Sequence, residues 1–440
     1  MQLNDKYDIV VAGAGIAGTS AAIKAAEEGS SVLLIEHYPF LGGMSAAGMV
    51  SPFMKSYAHG KELVKGVYKQ IEDGLRDMDA MIDNGFYAWA FRSIANQLIW
   101  KNGGEIAFNT DVVDVHTDGQ GTITSLELAT TSGLKKVEGK VFIDATGDGQ
   151  LLVLGGFPWL KGDEQTGNLQ ALTLFFRMGG IDIERVAEYT RKHKEDFLEW
   201  MDFKYDFSRI VSIAGFKEPL RKAQQEGRVD EALEYIFFTT LPATGEASFN
   251  TTNILDIDAS SSTELTRAEV IGHRQVGQVV DLLQGEIPGF EQAFLVDTGI
   301  QTGVRETRRA VSDYMMTGED IMNQARFEEP IARASYGIDI HGQAGEKSRL
   351  EHLKRDMYYE VPKQSLFVKD AKNLMVAGRC IGATREGHSA LRVQPTSSAT
   401  GEACAAIASL AVCGNRAIRE VPYQEIKPLI RSNVEDGSQA

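Results

Sequence analysis

Apolar positions along this chain follow two rhythms. Short β-branched runs, Tyr7-Asp8-Ile9-Val10-Val11-Ala12, Ser31-Val32-Leu33-Leu34-Ile35 and Asn373-Leu374-Met375-Val376-Ala377, have the continuous character of parallel strands covered on both faces. Between the first two lies a small-residue helix bearing Ala21, Ala22, Ala25 and Ala26, with Gly29 where a left-handed residue ends a helix. Further β-rich stretches are expected at 105–108, 112–116, 122–128 and 135–144. Strand, helix and strand in alternation predict an α/β fold on a parallel sheet.

The middle of the chain reads differently. A strand, Leu172-Thr173-Leu174-Phe175-Phe176-Arg177, is followed by expected aromatic and charged helices around 186–205 and 232–238. A long helix then carries a capping box, Thr266-x-x-Glu269, and apolar positions Val270, Val276, Val279, Val280 and Leu283, with a stop at Gly285 before Pro288-Gly289. Late in the chain, Arg392-Val393-Gln394-Pro395-Thr396 opens an alanine-rich helix over 397–411. Pro395 suits such a start because it has no N–H to lose.

Composition narrows the class. With 440 residues, 43% hydrophobic and 24% charged, the chain can bury a large core and holds more than one domain. Its formal net charge of -16 disfavours nucleic acid and anionic membrane surfaces. Cys380, Cys404 and Cys413 form no C-x-x-C pair or Cys/His cluster, so no metal site, disulfide framework or redox dithiol is expected. No window approaches the roughly 18 apolar residues of a membrane span, and the polar start lacks a signal-peptide pattern, so a cytoplasmic location is expected.

The strongest chemical signal is Gly13-Ala14-Gly15-Ile16-Ala17-Gly18, a G-x-G-x-x-G between strand and helix, with Glu36 closing the second strand. Gly13 permits the tight turn, Gly15 lets the backbone approach a pyrophosphate, and Gly18 lets helix and strand pack closely. The helix N-terminus supplies N–H donors and the positive end of its dipole. Glu36 can accept hydrogen bonds from ribose hydroxyls, and an acid there disfavours a 2′-phosphate. His37 and then Gly42, Gly43, Met44 and Ser45 follow, a segment that NAD-dependent dehydrogenases do not need.

Together with Ala145-Thr146-Gly147-Asp148-Gly149, Gly303-Val304-Arg305-Glu306-Thr307-Arg308-Arg309 and the segment from Leu374 to Ala405, these motifs resemble the bacterial FAD-dependent oxidoreductases of the glutathione-reductase fold, in the branch related to succinate dehydrogenase and fumarate reductase flavoproteins. The resemblance covers nearly the whole chain. It implies a Rossmann-like FAD-binding domain made of 1–155 and 290–425, an inserted α+β substrate or cap domain at 156–289, and a tail at 426–440. It implies that FAD lies extended, with the pyrophosphate at the first helix, the ribose on Glu36 and adenine near Val112 and Val113. Ala145, Thr146, Gly147, Asp148, Gly378 and Arg379 would line the rest of the cofactor. Arg392, Val393, Pro395, Thr396 and Ser397 would point a helix N-terminus at the isoalloxazine, where a dipole stabilises a reduced, anionic flavin by about 0.5 to 2 kcal/mol. A second G-x-G-x-x-G for nicotinamide and a C-x-x-x-x-C are both missing.

Arginines cluster unusually for so acidic a chain: Arg305, Arg308 and Arg309 in one group, Arg379, Arg385 and Arg392 with His388 in another. A guanidinium holds carboxylates by a two-pronged fork, so the second group reads as active-site lining, whereas internal ion pairs explain the first equally well. The catalytic candidates are His388, Arg385 and His341, the histidines because their pKa lies near neutrality. The expected activity is hydride transfer between a small polar, anionic organic substrate and flavin N5. A protein or quinone electron acceptor and a homo-oligomer remain open. The competing readings are an NAD-linked dehydrogenase and a flavin-carrying electron-transfer subunit without a small-molecule substrate of its own.

Overall fold

The computed structural model describes residues 3–242 and 244–435. Its main sheet is centred on Lys6–Ala12, which pairs in parallel with Val32–Ile35 on one side and with Gly133–Asp144 on the other. Glu105–Ala107 extends the sheet beyond Val32–Ile35. Gly133–Asp144 does double duty. Its first half pairs antiparallel with Ile123–Thr130, and its last residues pair in parallel with Leu374–Val376. Val32–Ile35 and Leu374–Val376 are fully buried, as their unbroken apolar runs require.

Helices Ile16–Glu27 and Gln394–Cys413 cross against each other under this sheet. Small residues set that approach. A Cβ on Gly401 would lie 2.0 Å from the Ala17 carbonyl oxygen, and the Ser20 and Ser398 hydroxyls meet at 2.7 Å. The earliest and latest long helices are therefore one packing unit.

The inserted region forms a second, antiparallel sheet in the order Ser212–Gly215, Ile236–Leu241, Glu246–Phe249, Phe176–Gly179, Phe294–Thr298. It has its own apolar core, in which the rings of Phe176 and Phe249 stack at 4.7 Å and those of Phe238 and Phe249 lie 4.9 Å apart. Helix Ser262–Glu286 packs against this core through Val276, Val279, Leu282 and Leu283.

Several expected elements differ. Residues 236–238, expected in a helix, belong to the strand Ile236–Leu241, whose run Ile-Phe-Phe-Thr-Thr-Leu is a strand composition. The long helix starts before Thr266, because Ser261 already accepts from the Glu264 N–H. The Thr266 hydroxyl instead donates to the Ser262 carbonyl at 2.9 Å. That helix also runs through Gly285 to Glu286. The cap sheet takes Phe294–Thr298 from beyond residue 289 as its edge strand. The expected tail is folded as far as residue 435: Ile426 and Ile430 are buried, and Asn433 donates to Glu402 at 3.0 Å. Residues 436–440 lie outside the described residues.

Candidate functional site

A cavity of about 1330 Å³ runs between the main sheet and the cap. It exceeds the roughly 300–1,000 Å³ of ordinary small-ligand sites, so it has room for more than one molecule.

One end is built from backbone. The Gly13 turn lies so close to the next loop that a Cβ there would fall 2.6 Å from Thr146 Cα, and the φ of +86° also excludes most side chains. A Cβ on Gly18 would lie 1.8 Å from the Gly13 carbonyl oxygen. Gly15 is the opposite case: with φ of -59° and no atom within 4 Å of its Cβ position, it faces open space. Neither Ile16–Glu27 nor Gln394–Cys413 has a side-chain cap at its N-terminus. Both of those ends line the cavity, through Gly15, Ile16 and Ala17 and through Val393, Gln394 and Ser397. Two sets of free helix N–H donors thus face one space.

Side chains hold this backbone in place. Asp144, fully buried, accepts from the Thr146 N–H at 3.1 Å, the Thr146 hydroxyl at 2.7 Å and the Leu151 N–H at 2.8 Å, fixing the loop after its strand. Asp148 accepts from Arg379 Nη2 at 2.9 Å and from the Thr307 hydroxyl at 2.8 Å. Arg379 Nη1, buried beside them, has no protein partner. Glu36 accepts from the Ala14 N–H at 2.7 Å and the Tyr38 N–H at 2.9 Å; burial raises its pKa while these two donors lower it. Each carboxylate oxygen retains a lone pair.

The other end is built from side chains. Arg305, Tyr235, Tyr336, Asp339, His341 and Arg392 all line it. Asp339 is its hub. It accepts from the Tyr336 hydroxyl at 2.9 Å, and it lies 3.2 Å from His341 Nε2 and 3.4 Å from Arg392 Nη2. These partners outweigh burial and hold its carboxyl well below the usual carboxylate range. His341 is pushed down to about 4, by burial and by the Arg305 charge, against the opposing pull of Asp339. It is therefore a neutral imidazole at physiological pH, with one nitrogen on Asp339. The cap contributes Phe175, Phe237, Ser248 and Asn250 to the wall.

Among the expected cofactor residues, Gly13, Gly15, Ile16, Ala17, Glu36, His37, Gly42, Gly43, Met44, Ser45, Val112, Ala145, Thr146, Gly147, Asp148, Gly378, Arg379, Arg392, Val393 and Ser397 line the cavity. Ala14, Gly18, Val113, Pro395 and Thr396 do not. Gly18 is consumed by packing, Val113 points to the outer face of its strand with 44% of its surface exposed, and Pro395 and Thr396 are buried within their helix. Arg392 sits with Asp339, at the side-chain end.

Two of the three catalytic candidates stand outside the cavity wall. His388 is fully buried, with Nε2 donating to the Arg379 carbonyl at 2.8 Å and Nδ1 without a partner. Burial and the Arg309 and Arg392 charges push its pKa well down. Arg385 is buried in ion pairs with Glu306 at 3.4 Å and with Glu346 at 2.5 Å. Of the first arginine group, Arg309 is sealed against Glu306 and Glu164, Arg308 donates to the Asp148 and Ser260 carbonyls, and only Arg305 reaches the cavity. Sequence reading passed over Tyr235, Tyr336 and Asp339. The signal for the last was available, since an Asp two residues before a His in an extended segment puts both side chains on one face.

The space between a Rossmann-like sheet and its cap, entered by two uncapped helix ends, defines a dinucleotide-dependent redox enzyme. The profile of the family described as FAD dependent oxidoreductase matches residues 8–430, and the chain belongs to that family; its cofactor is FAD. Short stretches are similar to two curated proteins: 57% identity over 42 residues to a vinyl phenol reductase of Lactiplantibacillus plantarum, and 52% over 46 residues to an NADH:fumarate oxidoreductase of Klebsiella pneumoniae. Each stretch is 10% of this chain, and they cover only 8% and 5% of those proteins. Among solved structures, a geranylgeranyl bacteriochlorophyll reductase-like protein of Thermoplasma acidophilum matches with a TM-score of 0.47 and 15% identity, over 97% of this chain and 83% of that one. The p-nitrophenol 4-monooxygenase of Pseudomonas putida matches with a TM-score of 0.46 and 12% identity, over 97% and 84%.

Proposed function

We propose that this enzyme transfers a hydride between a small polar, anionic organic substrate and N5 of FAD, on a discontinuous cofactor domain of the glutathione-reductase type. The observation that carries the reading is the continuity of one cavity from the open space over Gly15 to the Asp339–His341 pair. Three features support FAD at the backbone end: the space over Gly15, the two uncapped helix ends and the unpartnered Nη1 of Arg379. On this reading Gly13, Gly15, Ile16 and Ala17 face the pyrophosphate, Glu36 holds the adenosine ribose, and Gly378, Arg379 and the start of Gln394–Cys413 face the flavin.

Bound FAD supplies the hydride acceptor or donor. The chain supplies the rest. His341, neutral and fixed in orientation by Asp339, takes up or returns the proton that accompanies the hydride. Arg305 and Arg392 bring positive charge to the substrate end, and the aromatic cap wall excludes water from it. His388 and Arg385 hold the wall from behind and transfer no proton to the substrate.

The test is anaerobic. Holoenzyme is mixed with a panel of hydroxy, amino and saturated acids while the visible flavin absorbance is followed, and chemically reduced holoenzyme is mixed with enoates. Bleaching in the first case or recovery in the second supports the reading and fixes the direction. Neither response, from a protein that holds FAD, would favour an electron-transfer subunit. Greater thermal stabilisation by NAD than by FAD would favour the NAD-linked dehydrogenase.

A further inference from the structure

We propose that Arg305 is the carboxylate anchor of the substrate, and that this enzyme acts on small monocarboxylic acids. The inference rests on the reading above, in which the Asp339–His341 end of the cavity holds the substrate.

Charge pairing carries the first part. The arginines lining the cavity are Arg305, Arg349, Arg379 and Arg392, and no lysine lines it. Arg379 is paired with Asp148 at 2.9 Å and Arg392 with Asp339 at 3.4 Å, and Arg349 is paired with Glu351 and Glu386. Arg305 differs. Its Nη1 donates to the Ala171 carbonyl at 2.6 Å, and among the described residues no carboxylate lies within ion-pair distance of it. Burial and the nearby Arg392 charge lower its pKa to about 10 against the opposing pull of Asp339, which leaves it charged at neutral pH beside an Asp339 already paired with Arg392. A half-buried guanidinium with no carboxylate in contact is under-compensated, and an anionic ligand supplies the missing charge.

The same observation sets the number of charges. One unpaired guanidinium balances one negative charge, and Asp339 on the same wall repels a second. The phenols of Tyr235 and Tyr336 lie near Arg305 and the rings of Phe175 and Phe237 line the same cavity, which suits a planar carboxylate on a short carbon skeleton better than a phosphate dianion.

Ala171 ties the two groups together. Its carbonyl takes the Arg305 guanidinium, and its N–H donates to the His341 carbonyl at 3.1 Å. The His341 N–H donates in turn to the Gln170 side chain at 3.3 Å. Arg305 and His341 line the same cavity and the Arg305 charge acts on the His341 ring, so a ligand gripped at Arg305 lies near the proton-transfer group.

The experiment measures binding. Purified holoenzyme is titrated with crotonate, 2-hydroxybutyrate, their neutral amides and inorganic phosphate, read by the perturbed flavin spectrum. It is repeated on Arg305→Gln and Arg305→Lys, with flavin content and Tm measured for each. The expected result is that the carboxylates bind about 10- to 100-fold more tightly than the amides, and phosphate more weakly than the carboxylates. Arg305→Gln removes the advantage without releasing FAD, and Arg305→Lys keeps part of it. Equal affinity for acid and amide, no carboxylate binding to the wild type, or phosphate binding as tightly as the carboxylates would overturn the proposal. So would an Arg305→Gln protein that loses FAD yet keeps its carboxylate affinity. The wild-type comparison needs no variant, so it stands even if a substituted protein fails to fold. Loss of the wider reading looks different: flavin neither bleached by acids nor reoxidised by enoates, whatever binds at Arg305.

Discussion

The two ends of the cavity are made of different materials. At the Gly15 end the wall is main chain: two helix ends without side-chain caps, a glycine turn pressed on a second loop, and acids such as Asp144 spent on holding backbone. At the His341 end the wall is side chain, gathered from residues 235, 305, 336, 339, 341 and 392 around a single aspartate. A main-chain site binds what every member of its chemical class shares. A side-chain site can be rewritten one residue at a time, which suits a choice among substrates.

Glycine substitutions should divide the first region most sharply. Gly18→Ala forces a Cβ to within 1.8 Å of a backbone oxygen, so expression should yield little folded, flavin-bearing protein. Gly15→Ala meets no atom and no strained φ. The apoprotein should keep its Tm within a degree or two while FAD affinity falls by about 100-fold, because the new methyl occupies space meant for the cofactor. Equal flavin content in Gly15→Ala and wild type would remove the main-chain account of this end.

The second region is tested by rate. His341→Gln should leave FAD bound and slow its reduction about 100-fold or more. In the direction that oxidises the substrate, wild-type rates should stay level from pH 8 to about 5 and drop only as pH nears about 4, since the neutral ring is the base that takes up the proton. A drop centred near 6.5 would transfer the role to a less enclosed histidine. His388→Gln should change the rate by less than about threefold. Glu36→Ala should weaken FAD by about 1 to 3 kcal/mol, measured by equilibrium titration of the apoprotein.

The smallest effect is on stability. His341 and His388 are held neutral by the fold, so below an unfolded value of about 6.5 the unfolded chain binds more protons than the folded one. Stability should therefore decline as pH falls from about 6.5 toward 4, and His388→Gln should flatten the decline of Tm between about pH 6.5 and 5.

The same contrast explains what could be read from the residues alone. The glycine turn, Glu36 and the strand before Gly378 declare themselves because local backbone geometry demands particular residues at fixed spacing. His388 misled because closeness in sequence to Arg379 and Arg392 does not say which side of a helix faces the cavity; it lies behind the wall. Tyr235 and Tyr336 gain their site neighbours only through tertiary packing, whereas Asp339 was legible from its spacing to His341. Residues 236–238 fall in a helix expectation yet begin the strand Ile236–Leu241, because the second sheet, not local propensity, decides the state of an aromatic run.

The close crossing of Ile16–Glu27 and Gln394–Cys413 has a consequence for biogenesis. A nascent chain carries the glycine turn long before the helix that packs under it at Gly401 is made. Flavin capture thus waits for that helix, and a product truncated before residue 394 should leave the ribosome without pigment.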